Sequence, residues 1–186
     1  MKRPTLLLLL ATLAIAAPAA NAQSNIGLKR LGAAIGFVDP ENLGTTFSLG
    51  VFADHGTLTP HISLESRLDY WSQSDQFLGT KTSVRDITLG GRAKYTFETA
   101  NPKLRPFLGA GLGLHFLKAE VNVPPQFGLP GSTAGASSTK LGLDLGGGVA
   151  TPLNEKTDLL GETWFGIVDG ANSFTLRAGL SYKLGS

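Results

Sequence analysis

Hydrophobic and polar positions alternate along His61–Trp71. Ile62, Leu64, Ser66, Leu68 and Tyr70 share one side, and His61, Ser63, Glu65, Arg67, Asp69 and Trp71 the other. A period of two with an apolar and a charged face is the pattern of a β-strand lying between an apolar and a polar medium. The same period recurs in seven further segments: about Leu31–Val38, Thr45–Ala53, Asp86–Phe97, Phe107–Leu117, Lys140–Ala150, Asp158–Val168 and Phe174–Leu184. Turn signals separate them, among them Asp39-Pro40-Glu41-Asn42, Asp54-His55-Gly56, Ala100-Asn101-Pro102 and Asp169-Gly170-Ala171-Asn172. Two longer polar stretches, Ser72–Thr82 and Val121–Ser138, read as loops, and the Pro- and Gly-rich second one is expected to be mobile. In the seventh segment Leu160 falls on the polar side, so Trp164 marks either an inward-facing plug or a phase that is off by one. Eight strands at this spacing predict an all-β fold, an antiparallel up-and-down barrel.

Alternation alone does not say which face is outside. A soluble barrel of the lipocalin type turns its apolar face inward; a membrane barrel turns it to lipid. Three features favour lipid. Glu65, Arg67, Asp69, Arg92, Lys94, Asp144, Glu162, Arg177 and Lys183 all lie on the non-apolar face of their strands, and a charge facing lipid at the midplane would cost about 2–4 kcal/mol. The rest of that face is largely Gly, Ser and Thr, which suits a narrow lumen better than a solvated surface. Finally, aromatic residues gather at strand ends on the apolar face. Phe37, Phe47, Tyr70, Phe116, Phe165 and Phe174 fall at one end of an antiparallel barrel, and Tyr95, Phe97 and Tyr182 at the other, as in the two girdles of a transmembrane β-barrel.

The N-terminus fits export. Lys2 and Arg3 precede an apolar run from Leu6 to Ala17, and Ala20-Asn21-Ala22 is a small-x-small cleavage site. Residues 1–22 are therefore expected to be a signal peptide and 23–186 the barrel domain. The 16 Lys and Arg of the chain outnumber its 14 Asp and Glu only by the two basic residues of the leader, so the charge balance points to no nucleic-acid partner. The chain has no cysteine, which excludes disulfides, thiolate metal sites and a thiol nucleophile. With the N-terminus in the periplasm, the connections after the first, third, fifth and seventh strands face outside, among them the two longest, Ser72–Thr82 and Val121–Ser138, and the short ones after the second, fourth and sixth face the periplasm, the usual asymmetry.

Arg177-Ala178-Gly179-Leu180-Ser181-Tyr182-Lys183-Leu184 resembles the C-terminal assembly signal of outer-membrane barrels through Arg177, Gly179, Tyr182 and Leu184, with Leu184 where the family has an aromatic residue. Arg105-Pro106-Phe107-Leu108-Gly109-Ala110-Gly111-Leu112-Gly113 is similar to the fifth strand of the OmpA/OmpX-like and opacity-type barrels. The resemblance implies a monomeric eight-stranded barrel in a Gram-negative outer membrane. Its partners would be membrane lipid, lipopolysaccharide and, during insertion, the assembly machinery. These families share no single activity, and no catalytic residue, cofactor or metal follows from membership.

The strongest chemical constellation is the set of inward charges Glu65, Arg67, Asp69, Arg92, Lys94, Asp144, Glu162 and Arg177. Buried charges need partners, so these are expected to pair and fill the lumen; the alternative is a narrow path for ions or small solutes. His61-x-Ser63 with Glu65 invites comparison with lipid A deacylase barrels, but the residues flanking that motif are missing and the group is predicted at the periplasmic end, away from lipid A. His115 reads as a hydrogen-bonded interior histidine, since no second metal ligand is spaced for it. The function these readings support is a structural or surface-interaction role without catalysis. A small pore is the alternative; a lipid A hydrolase or a lipocalin-like carrier ranks below it.

Overall fold

A computed structural model describes residues 25–125 and 130–185. The expected signal peptide and its cleavage site lie outside the described residues. The strands are β1 (Asn25–Pro40), β2 (Thr46–Thr59), β3 (Ile62–Phe77), β4 (Thr80–Thr96), β5 (Arg105–Val123), β6 (Ser132–Pro152), β7 (Thr157–Val168) and β8 (Ser173–Lys183). Each pairs antiparallel with the next, and β8 returns to β1 through Arg30↔Lys183 to Pro40↔Ser173, closing the barrel. Closure leaves no unpaired sheet edge, the condition for strands to cross lipid.

The alternation seen in sequence becomes an inside and an outside. Along β8 the odd positions Arg177, Gly179 and Ser181 point into the barrel while Leu176, Leu180 and Tyr182 are about half exposed on its outer wall. Both aromatic girdles lie on that outer wall. Phe37 packs edge-on against Phe47 and Phe165 against Phe174 near one end, and Tyr95 against Phe97 near the other. On β5 the two levels are marked by Leu108, paired with Tyr95, and by Phe116. Eight residues of tilted strand separate them, roughly 20 Å along the barrel axis, close to the height of a lipid-facing band. The phase of β7 is settled: Leu159, Thr163, Phe165 and Ile167 face out, whereas Glu162 and Trp164 face in. Leu160 does turn inward and lines the mouth of the barrel at the end where the turns are short.

Two segments expected to be loops are ladders instead. β3 and β4 remain paired through Phe77↔Thr80 and are joined by Leu78-Gly79, whose φ values of 48° and 82° are those of a tight two-residue hairpin turn. Likewise β5 and β6 stay in register through Val123↔Ser132, so Val121–Val123 and Ser132–Ser138 are strand; residues 126–129 of that expected loop lie outside the described residues. The sequence signal vanished there for a physical reason. Above the outer girdle both faces of a strand meet polar surroundings, so nothing imposes alternation even though the backbone ladder continues. The expected turn at Asp54-His55-Gly56 is also strand: β2 passes through it with irregular register and reverses at Pro60-His61. Gly56, at φ +78°, accommodates that irregularity.

A narrow interior explains the inward glycines. A Cβ on Gly36 would run into the backbone of Leu176 and Arg177, and one on Gly146 into the indole of Trp164.

Candidate functional site

The inward charges from β3, β4, β6, β7 and β8 meet in the middle of the barrel. Arg67 donates to Asp69 on its own strand and, at 2.6 Å, to Asp144 on β6. Arg177 on β8 donates to Asp69 at 2.7 Å and to Glu162 on the neighbouring strand. Lys94 donates to Glu65 beside it and reaches Glu162 of β7 at 3.5 Å. Arg92 lies 3.9 Å from Asp144 and stacks on Trp164, its guanidinium carbon 3.6 Å from the ring centroid. Four carboxylates thus meet four cations, all of them more than nine-tenths buried except Asp69, whose side chain is 15% exposed. Three of these bridges, β3 to β6, β3 to β8 and β4 to β7, join strands three apart in the ring, so they cross the lumen rather than run along its wall.

Aromatic rings that the period-two reading left unremarked line this cluster. Phe52 and Phe107 point inward, and the Lys94 ammonium sits 5.7 Å and 4.8 Å from their centroids. Each is the one aromatic residue on the small or charged face of its segment, so a large inward residue opposite glycines was the available signal. The free space around Arg67, Asp144 and Arg177 is about 40 Å³, on the order of the volume of one water. Val38, Trp71 and Val168 pack the lumen toward the end with the tall hairpins. At the opposite mouth a cavity of about 350 Å³ opens, where Arg30 and, at 2.5 Å, Arg105 converge on Asp158.

His115 faces the interior and donates from Nδ1 to Asp86 at 2.7 Å, with the Thr88 hydroxyl donating to the same carboxylate at 3.0 Å. The sequence reading placed Thr88 on the polar face and began its fourth strand at Asp86, but β4 starts six residues earlier, at Thr80, and the pairing of Asp86 with His115 was not read. Among the described residues no group of three His, Cys, Asp or Glu side chains is placed to hold a metal. His61, Ser63 and Glu65 are not brought together as a catalytic set. The His61 ring lies 5.6 Å from outward-facing Tyr95, Ser63 lines the cavity on the inner side, and Glu65 is held by Lys94. In the C-terminal octapeptide, Arg177 and Gly179 point into the barrel, Tyr182 points to the outer wall, and the Leu184 amide donates to the Lys29 carbonyl at 2.8 Å.

Comparison with known proteins places this architecture. The structure is similar to that of Neisserial surface protein A (21% identity, 84% of this chain and 97% of that one, TM-score 0.64). It is also similar to a major outer membrane protein from Thermus thermophilus (18%, 84% and 98%, TM-score 0.60) and to Ail, the attachment invasion locus protein of Yersinia pestis (11%, 84% and 99%, TM-score 0.53). Among curated proteins none matches the chain by sequence. The family model described as outer membrane protein beta-barrel domain matches residues 5–183. The chain therefore belongs to the outer membrane β-barrel proteins, and its place is the outer membrane.

Proposed function

We propose that the protein is a monomeric surface protein whose charge-filled barrel is a plug and a scaffold rather than a conduit, and whose work is done by the two hairpins it raises above the membrane. The cross-lumen bridging of Arg67, Arg177 and Lys94 carries this reading. Bridges between strands three apart can form only where the bore is too narrow for hydrated ions to pass. The height of the hairpins supports the other half. Beyond Tyr70 and Phe116, β3 and β5 continue for seven residues each, and the first hairpin ends in the exposed side chains of Phe77 and Leu78. Among the described residues His61, Ser63 and Glu65 stand apart, and the reading assigns no catalysis. The assembly machinery would read the C-terminal strand, with Tyr182 presented to the outside.

A small pore is the competing reading, favoured by the open cavity at the periplasmic mouth. Planar-bilayer recording of the refolded mature chain separates the two. A plugged barrel gives no unitary current steps at moderate voltage. Reproducible steps of uniform size would make the protein a pore and the charged cluster its filter.

A further inference from the structure

We infer that the mouth of the barrel at the end with the short turns is a binding site for a small phosphate monoester with an apolar body. The cavity there measures about 350 Å³, within the range of small-molecule pockets, about 300–1,000 Å³. Five cations line it, Lys29, Arg30, Lys94, Arg105 and Lys183, against three carboxylates, Asp54, Glu65 and Asp158. The carboxylates are already engaged. Glu65 holds Lys94 at the floor, Asp158 receives both Arg30 and Arg105, and Asp54 accepts the Gly56 amide at 2.7 Å. Lys29 and Lys183 have no ion pair or side-chain hydrogen bond among the described residues. Arg30 stands opposite Asp54 on β2 and opposite Lys183 on β8, and like charges facing across a ladder repel. Five against three leaves two positive charges in excess around one small space.

That excess selects the ligand. A dianion answers both positive charges, whereas a monocarboxylate leaves one unanswered. Guanidinium forks match the oxygens of a phosphate. Arg30 gives Asp158 its Nη1 and Arg105 its Nη2, so each keeps N–H groups for a second acceptor. Deeper in the cavity Phe52, Phe107 and Leu160 line the wall and offer an apolar surface to the body of the ligand. The Lys94–Glu65 pair is the floor, and beyond it the free space around Arg67, Asp144 and Arg177 admits about one water. Val38, Trp71 and Val168 pack the lumen toward the other end, so a ligand enters from the short-turn side alone. Arg30 and Lys183 alternate with outward-facing Leu31 and Tyr182. The site therefore faces the lumen and not the lipid around the barrel, which sets it apart from a headgroup contact.

This inference rests on the plugged-barrel reading, which gives the cavity its floor, and the test separates the two. The mature chain is refolded, placed in phosphatidylcholine nanodiscs that leave both ends open to solution, and titrated calorimetrically with phenyl phosphate, benzoate, inorganic phosphate and phenol. Phenyl phosphate should bind saturably at one site, roughly tenfold or more tighter than benzoate or inorganic phosphate, and phenol should not bind. Arg105→Gln with Lys183→Gln should weaken phenyl phosphate roughly tenfold or more. Asp158→Asn, which releases both guanidiniums, should tighten it. Lys81→Gln, near the tip of the first hairpin, should change nothing. Benzoate or inorganic phosphate binding as tightly as phenyl phosphate overturns the site, and so does unchanged affinity in the Arg105→Gln, Lys183→Gln double variant. The same preparation is recorded in a planar bilayer. Absence of both current steps and saturable binding refutes the site alone, whereas reproducible current steps remove the floor and refute plug and site together.

Discussion

Replacing Glu162 by glutamine should destabilise the refolded barrel by about 3–5 kcal/mol, read from urea unfolding in lipid vesicles. Glu162 receives Arg177 from β8 and Lys94 from β4, both more than nine-tenths buried. Without its charge two buried cations lose a counter-ion, and the free space beside Arg177 admits about one water. The cost is that of an unpaired buried charge, not of one lost hydrogen bond. Arg177→Met should carry a comparable cost, since it strips donors from both Asp69 and Glu162. The double variant should lose clearly less than the two single losses together, because each substitution removes the reason the other hurts; a coupling of about 0.5–3 kcal/mol is typical of residues sharing one network. Strictly additive losses would show that the eight charges act as independent neighbours and would remove the physical basis for a plug.

The second large effect lies on the other side of the same wall. Leu112 is 57% exposed on β5, midway between Leu108 beside Tyr95 and Phe116 at the outer girdle. With lipid outside, Leu112→Arg places a guanidinium near the bilayer midplane and should cost about 2–4 kcal/mol. The same substitution at Ser137, outward-facing but above the girdle, should cost nearly nothing. In a water-soluble barrel both positions would be solvent-exposed and both changes would be harmless. The comparison therefore measures what the outer wall touches.

Both effects follow from features that were largely legible in the chain, and the illegible parts have a common cause. Wherever a strand had lipid on one face and a packed lumen on the other, its residues alternated, so the strand count, the two girdles and the inward direction of Glu65, Arg67, Asp69, Arg92, Lys94, Asp144, Glu162 and Arg177 could be read directly. The phase of β7 stayed open in the chain, because Leu160 fell on the polar side; the barrel decides it, with Leu160 lining the wide mouth at the end with the short turns, where an apolar side chain is tolerated. Above the girdle the two media become one, alternation loses its cause, and Ser72–Phe77 and Ser132–Ser138 looked like loops although their backbones are fully laddered. Which charge pairs with which was not legible either. Sequence can place Asp69 and Arg177 on the same face, but their 2.7 Å contact depends on the barrel's diameter and shear, which bring β8 across to β3. Phe52 and Phe107 were passed over because an inward aromatic breaks no rule of alternation; it shows only as bulk where its neighbours are glycine.

The central claim is that lipid meets the apolar face and the charged face is interior, and the two tryptophans of the chain test it most directly. Trp71 and Trp164 both point into the barrel, at 8% and 2% exposure. Refolded into vesicles whose acyl chains carry bromine, the wild-type protein should keep most of its tryptophan emission, whereas the Leu112→Trp variant should show strong additional quenching of the emission its new ring contributes. Wild-type emission quenched as strongly as that of the added ring would put Trp71 and Trp164 in contact with lipid, and would reverse inside and outside for every strand.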